Sequence, residues 1–209
     1  TGKTMAGEVV LSWKNTSSDT IPDLQFHLYL NAFKDRQSTF SREFGGNLPW
    51  ASNDGWGWIE MTSLAVRGSD HSDSTRFIAP DDGNANDRTV LQVVLRQPVL
   101  PGETVRVEYD FRAKIPRNHV RTGWWGDDFF FMVQWFPKIG VYESPGTRLL
   151  PLDAPRGRWN CHQFHASTEF YADFGVYDVQ ITVPAQYTVA STGVIHRERL
   201  NADHTNRVG

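Results

Sequence analysis

The sequence predicts an all-β domain: an antiparallel sandwich or saddle-shaped sheet carrying one short helix. Three features support that expectation. Apolar and polar residues alternate with a period of two through most of the 209 residues, and helical periodicity is scarce. The alternating runs are short and are separated by Gly, Pro, Asn and Asp clusters that reverse the chain. The runs, ten or so, are not interleaved with helices, which argues against a parallel α/β architecture.

In chain order, EVVLSWKN (8–15) alternates Val9, Leu11 and Trp13 against polar neighbours, and NTSSDTIPD turns the chain. LQFHLYLNAF (24–33) places Leu24, Phe26, Leu28 and Leu30 on one face, so the opening pair reads as a hairpin with one buried side. DRQSTFSREF (35–44) is the one short helix, with Phe40 and Phe44 at i, i+4. A Gly- and Trp-containing loop (45–57) leads into the strand WIEMTSLAVRG (58–68), and RFIAP follows a polar stretch. DDGNAND (81–87) is a turn before TVLQVVLRQPVL, Pro101-Gly102 a β-turn, and TVRVEYDFRAKIP a further strand. After RNHVRTGWWGDD come the strand FFFMVQWFP, a Pro/Gly/Arg-rich loop at 151–158, and the strands VYDVQITVP and TVASTGVIHRERL. No internal repeat, low-complexity tract or linker divides the sequence, so residues 1–209 read as one domain.

Composition narrows the function. Apolar residues make up 39% and charged residues 22%, as in a globular chain that buries a sizeable core. The formal charge of -3 and the lack of a basic cluster give no electrostatic basis for nucleic-acid binding. The longest apolar run is far too short for a membrane-spanning helix. A start at Thr1 without a signal-like segment suggests an excised piece or a processed product. The single cysteine, Cys161, excludes an internal disulfide and reads as a buried free thiol. Eight tryptophans suit core anchors, an interface or a sugar-stacking platform, with Trp56/Trp58 and Trp124/Trp125 as the pairs placed for stacking, so a stand-alone carbohydrate-binding or protein-interaction β-sandwich is an alternative function.

FMVQWFPKIGVYE (131–143) followed by FYADFGVYDVQITVPAQYTVASTG (170–193) resembles the N-terminal β-domain of aminopeptidase N-like zinc metallopeptidases, the gluzincins that include leukotriene hydrolase. NAFKDRQSTFSRE, WIEMTSLAVRG and the opening GEVVLSWKNTSSDTIPDLQFHLYLNAF fit the same pattern, so the resemblance runs in order through nearly the whole chain. Val141-Tyr142-Glu143 stands where the family has Asp-Glu-Pro, and Ser144–Ser167 is an insertion, which marks a divergent bacterial branch. The resemblance implies a non-catalytic domain that packs on a downstream catalytic domain of the same polypeptide and forms one wall of its substrate cleft. This piece then needs no cofactor of its own, the zinc belongs to the parent's catalytic domain, and peptide is the parent's substrate. No HExxH occurs in these residues; the family's HExxH helix and GAMEN-type strand would lie beyond Gly209. Relatives are often exported or membrane-attached in bacteria, which is likewise an implication of the resemblance alone.

Other chemistry has little support in the residues. His162, His165 and Glu169 form the one tempting metal cluster, but the segment reads as strand and loop and the spacing is not a gluzincin pattern, so packing or solvent-facing histidines are expected. There is no Gly-x-Ser-x-Gly elbow, and Cys161 has only His162 beside it as a base. Asp127 and Asp128 are adjacent, and in a strand would point to opposite faces rather than to one substrate. The oxygen-rich loop 81–87 suits a hard cation or a plain turn. By resemblance, a polar side chain just before the Phe-Pro stretch helps to hold the substrate's amino group. That points to Gln134, then Asp128, with Trp135 behind them.

Overall fold

The computed structural model describes residues 2–45, 48, 51, 54–119, 121–147, 149–201 and 205–209. Of the expected loop at 45–57, residues 46–47, 49–50 and 52–53 lie outside the described residues. The chain forms two compact units, Thr1–Asp173 and Phe174–Gly209. The first opens with β1 (Thr4–Lys14), β2 (Ile21–His27), a 3-10 helix (Tyr29–Phe33) and α1 (Thr39–Glu43). It continues with β3 (Trp58–Val66), β4 (Ser69–Asp70), β5 (Thr75–Ile78), β6 (Val90–Val99) and β7 (Thr104–Lys114). The strands β8 (Gly123–Trp125), β9 (Phe129–Phe131), β10 (Lys138–Ile139), β11 (Val141–Glu143) and β12 (Arg158–Asn160) complete it. The second unit holds β13 (Ile181–Pro184), β14 (Glu198–Leu200) and β15 (Thr205–Val208).

The architecture is the antiparallel, mostly β fold the alternation predicts. Two four-stranded sheets, β1-β7-β3-β4 and β10-β2-β6-β5, supply the core. β7 shows the cause most directly: Val105, Val107, Tyr109, Phe111 and Ala113 are buried, and the residues between them face outward. Leu24 and Phe26 of β2, Leu91 and Val93 of β6, and Ile59, Leu64 and Val66 of β3 join them in one cluster. Phe26 meets Tyr109 edge-on at 5.8 Å. Fully burying a side chain of that size contributes about 2–3 kcal/mol from apolar burial. At the β6–β7 turn Gly102 takes φ +77°, as the Pro-Gly sequence predicts. In the second unit β15 pairs antiparallel with both β13 and β14.

Four expectations are corrected. The opening strands are not a hairpin: β1 pairs with β7 along its whole length, and β2 pairs with β6 and β10. Buried Asn15 directs this crossing, because its side-chain amide donates to Asp19 O and Val99 O and its oxygen accepts from Ser17. The connection is thereby tied to the β6–β7 turn instead of folding back on β1. The second predicted strand stops at His27, and Tyr29–Phe33 winds into a 3-10 helix. There every residue from Leu28 to Phe33 is buried, so alternation loses its meaning. The Asn31 side chain pins the turn by donating to Arg88 O and accepting from Ile59 N.

Strand FFFMVQWFP ends at Phe131. Gln134 adopts φ +53°, and the adjacent Trp135 and Phe136 both pack against the core, which a two-residue repeat forbids. The last two predicted strands shrink to β13 and β14. Residues 171–180 carry no regular structure, and Phe174 and Val176 are fully exposed, so no core face holds that stretch in a ladder. No helix among the described residues is long and apolar enough to cross a membrane.

Candidate functional site

Two regions of the first unit concentrate side chains that could act on something else. The first is the β8–β9 hairpin and the bend that follows it. Its register sets Trp125 opposite Phe129 and Gly123 opposite Phe131. Trp125, Phe129 and Phe131 therefore share one face, and they are 64%, 57% and 47% exposed. Trp124 and Phe130 take the other face, where the Lys3 ammonium lies 3.5 Å from the centre of the Trp124 ring and donates to Gly126 O at 2.9 Å. One side of the hairpin is thus held to the domain, and the other presents three large aromatic rings to solvent.

The residues expected to face substrate lie on and just beyond this hairpin. Asp128 is exposed in the turn between β8 and β9 beside Asp127, not in a strand. Gln134 is half-buried at the bend between β9 and β10. It is one of two non-glycine residues with positive φ among the described residues. The other, Arg67, sits in the tight β3–β4 hairpin, where that conformation is the norm. Trp135 is half-buried against Phe111 at 6.1 Å and Phe136 at 5.1 Å between ring centres. No hydrogen bond among the described residues joins these three side chains.

A sugar-stacking platform would expose several coplanar indoles. Of the described tryptophans only Trp125 is exposed, while Trp56, Trp58 and Trp124 are half-buried. Trp56 packs against the core, while Trp58 in β3 and Trp124 in β8 lie under the cations of Arg112 and Lys3.

The second region is polar. His162 Nδ1 lies 2.5 Å from Asp81 Oδ1, His165 Nε2 3.1 Å from Asp81 Oδ2, and His165 Nδ1 2.6 Å from Glu43 Oε1. Glu169, the third member of the tempting triad, is elsewhere, paired with Arg121 at 2.5 Å. The contacts run in a chain from His162 through Asp81 and His165 to Glu43. No group of three or more His, Cys, Asp or Glu among the described residues is placed to hold a metal ion. Burial raises the Asp81 pKa, but hydrogen bonds from His162, the Gln163 amide and His165 outweigh it and hold the carboxyl below its ordinary value. Buried Gln163 completes the network, its oxygen accepting from the Asp81 and Asp82 amides and its NH₂ donating to Thr39 and Asp82. Loop 81–87 is a turn, as expected. Its Asp82 and Asp87 oxygens take backbone N–H groups of Asn84, Thr89 and Thr39.

Sequence reasoning paired Cys161 with its neighbour His162. The structure puts the thiol 3.5 Å from His27 Nε2, contributed by β2. Both groups are buried and uncharged: burial pushes the thiol upward, and burial with the nearby His162 and Lys138 charges lowers the His27 pKa to about 3. His27 stacks on Tyr29 at 4.5 Å, and its Nδ1 is buried without a partner. This is a core contact, not an activated nucleophile. No local pattern in the sequence marks His27.

No family model matches this sequence, and no curated protein does. Among solved structures it is similar to an M1 zinc metallopeptidase from Deinococcus radiodurans, at 13% identity and a TM-score of 0.49, over 99% of this chain and 34% of that one. A mutant two-domain M1 zinc metallopeptidase bound to L-tryptophan matches with the same figures. A mutant of the Deinococcus radiodurans enzyme bound to a Tyr-Ser-Ala substrate matches at 14% identity and a TM-score of 0.48. The chain spans 34% of the length of these proteins.

Proposed function

We propose that residues 1–209 are one non-catalytic β-domain of a zinc metallopeptidase-like parent, packing on a downstream catalytic domain and lending one wall to its substrate cleft. The zinc and the chemistry reside in that neighbouring domain, and peptide is the parent's substrate. Gln134 is the substrate-facing residue, supported by Asp128 and Trp135.

The exposed aromatic face of β8–β9 carries this reading. Large aromatic rings gathered on one solvent-facing surface are the usual anchors of an interface, because each buries much area at low entropic cost. The ordered resemblance of nearly the whole chain supports the assignment. So does the position of Gln134 just beyond this face, in a backbone conformation that costs an L-residue about 1–2 kcal/mol. Its amide oxygen is chemically suited to accept from a substrate ammonium.

The test uses the natural gene product, with the region beyond Gly209 expressed both attached and separately. The isolated chain should hydrolyse no aminoacyl substrate and should bind the separate catalytic region. Trp125→Ser with Phe129→Ser should abolish that association while leaving the fold of this chain intact. Gln134→Ala in the parent should lower kcat/KM. Turnover by this chain alone, or undiminished association of the double variant, would refute the reading.

A further inference from the structure

We propose that residues 162–170 form a strap held down by a proton-operated clasp: a doubly protonated His165 ring bridges Glu43 and Asp81, and loss of one proton releases the turn at 165–168.

Both nitrogens of His165 lie against carboxylate oxygens, at 2.6 Å from Glu43 and 3.1 Å from Asp81. Ionised carboxylates only accept hydrogen bonds, and a neutral imidazole has a single N–H. Both contacts therefore exist together only in the imidazolium. In the neutral ring one lone pair would face carboxylate lone pairs, and one charge-assisted bond would become a repulsion.

The groups around the ring favour the charged form. Glu43 faces it from α1, and Asp81 and Asp82 face it from the turn before β6; His162, on the other Asp81 oxygen, opposes the charged ring whenever it is itself protonated. Burial alone would favour the neutral ring, but the bonds to Glu43 and Asp81 outweigh it and hold the His165 pKa above its ordinary value. The sign follows from that direction. The clasp is fully made below about pH 6.5 and is lost as pH rises through the folded-state value.

The remaining fastenings show what would move. The Ala166 amide donates to Glu43 Oε2 at 2.8 Å, so Glu43 holds the strap by ring and backbone together. Phe164 is stacked between Phe40 at 4.9 Å and Phe170 at 5.2 Å, and Arg121 grips Glu169 and lies over the Phe170 ring. These hold at any pH near neutrality. Opening is therefore confined to the 165–168 turn, which lines a surface hollow together with Glu43, Asp81 and His162.

Amide hydrogen exchange on the full chain between about pH 6 and 9, corrected for intrinsic rates, tests this. Protection across 165–168, and of Ala166 above all, should fall by roughly tenfold or more as pH rises, the worth of one charge-assisted hydrogen bond. Amides of β7 should stay unchanged. In His165→Gln, protection of the turn should be low and flat with pH; in Glu43→Gln, the midpoint should move to lower pH. Constant protection in the wild type, or the same pH dependence in His165→Gln, would overturn the proposal. So would an NMR titration of the wild type that places His165 below the ordinary histidine midpoint.

Discussion

Acidification should destabilise this domain above all through His27, the histidine whose pKa burial depresses furthest among the described residues. The side chain is 2% exposed, lies against Tyr29 and Cys161, and leaves Nδ1 without a partner. Its pKa is lowered from 6.5 to about 3 in the folded chain, so between those values unfolding takes up a proton that the native state refuses. A depressed pKa means that stability is complete above the unfolded value and drains away as pH falls toward the folded one. The slope approaches about 1.4 kcal/mol per pH unit, and integration from pH 7 to 5 gives a loss of about 2 kcal/mol. Unperturbed carboxylates titrate mostly below that window, which isolates the histidine. His165 acts with the opposite sign and His119, whose pKa burial also lowers, with the same sign; comparison with His27→Phe cancels both. Urea unfolding at pH 7, 6 and 5 would measure the effect. Wild type should lose about 2 kcal/mol more than His27→Phe across the window, whatever the offset between them. Parallel curves would show that His27 takes up its proton as readily in the native state as in the unfolded chain, and the prediction would fail.

Three further outcomes follow from packing and backbone. Phe40→Ala removes a ring packed against Phe33 and Phe164 and should cost about 3–5 kcal/mol, read as a fall in the thermal or urea midpoint. Gln134→Gly relieves a left-handed backbone and should stabilise the chain by about 1 kcal/mol; an unchanged or lowered midpoint would show that the conformation carries no strain. Gly123→Ala should destabilise by well over 1 kcal/mol in the same assay, because at φ +132° its Cβ would sit 2.5 Å from the Asn118 backbone.

How much was legible in the sequence depended on how much water each segment meets. In β7, one face is solvent and the other is core, so alternation recorded both the strand and its inward residues. The turn at Pro101-Gly102 and the helix signal around Phe40 and Phe44 were equally local, although the helix spans only Thr39–Glu43. From Leu28 to Phe33 burial on every side erased the period, and a 3-10 helix was read as strand. At Gln134 the sequence resemblance singled out a position, but its left-handed backbone was invisible to pattern. Of the triad that the sequence set aside as a metal site, His162 and His165 both reach Asp81, a partner no spacing indicated, while Glu169 pairs with Arg121.

By itself the sequence determined the class of fold, the inward faces of its half-exposed strands and the free thiol, because each is set by residues within one turn or one ladder step. Only the tertiary structure decided which strands pair, that the opening strands part into different sheets, and that His165 meets Glu43 across 122 positions and Asp81 across 84. It also decided that His27 lies in the core while His165 sits between carboxylates, which drives the two pKa values in opposite directions. Contacts of that span are fixed by the joint burial of distant apolar faces, and no local pattern of residue types encodes which distant partner a polar side chain will find.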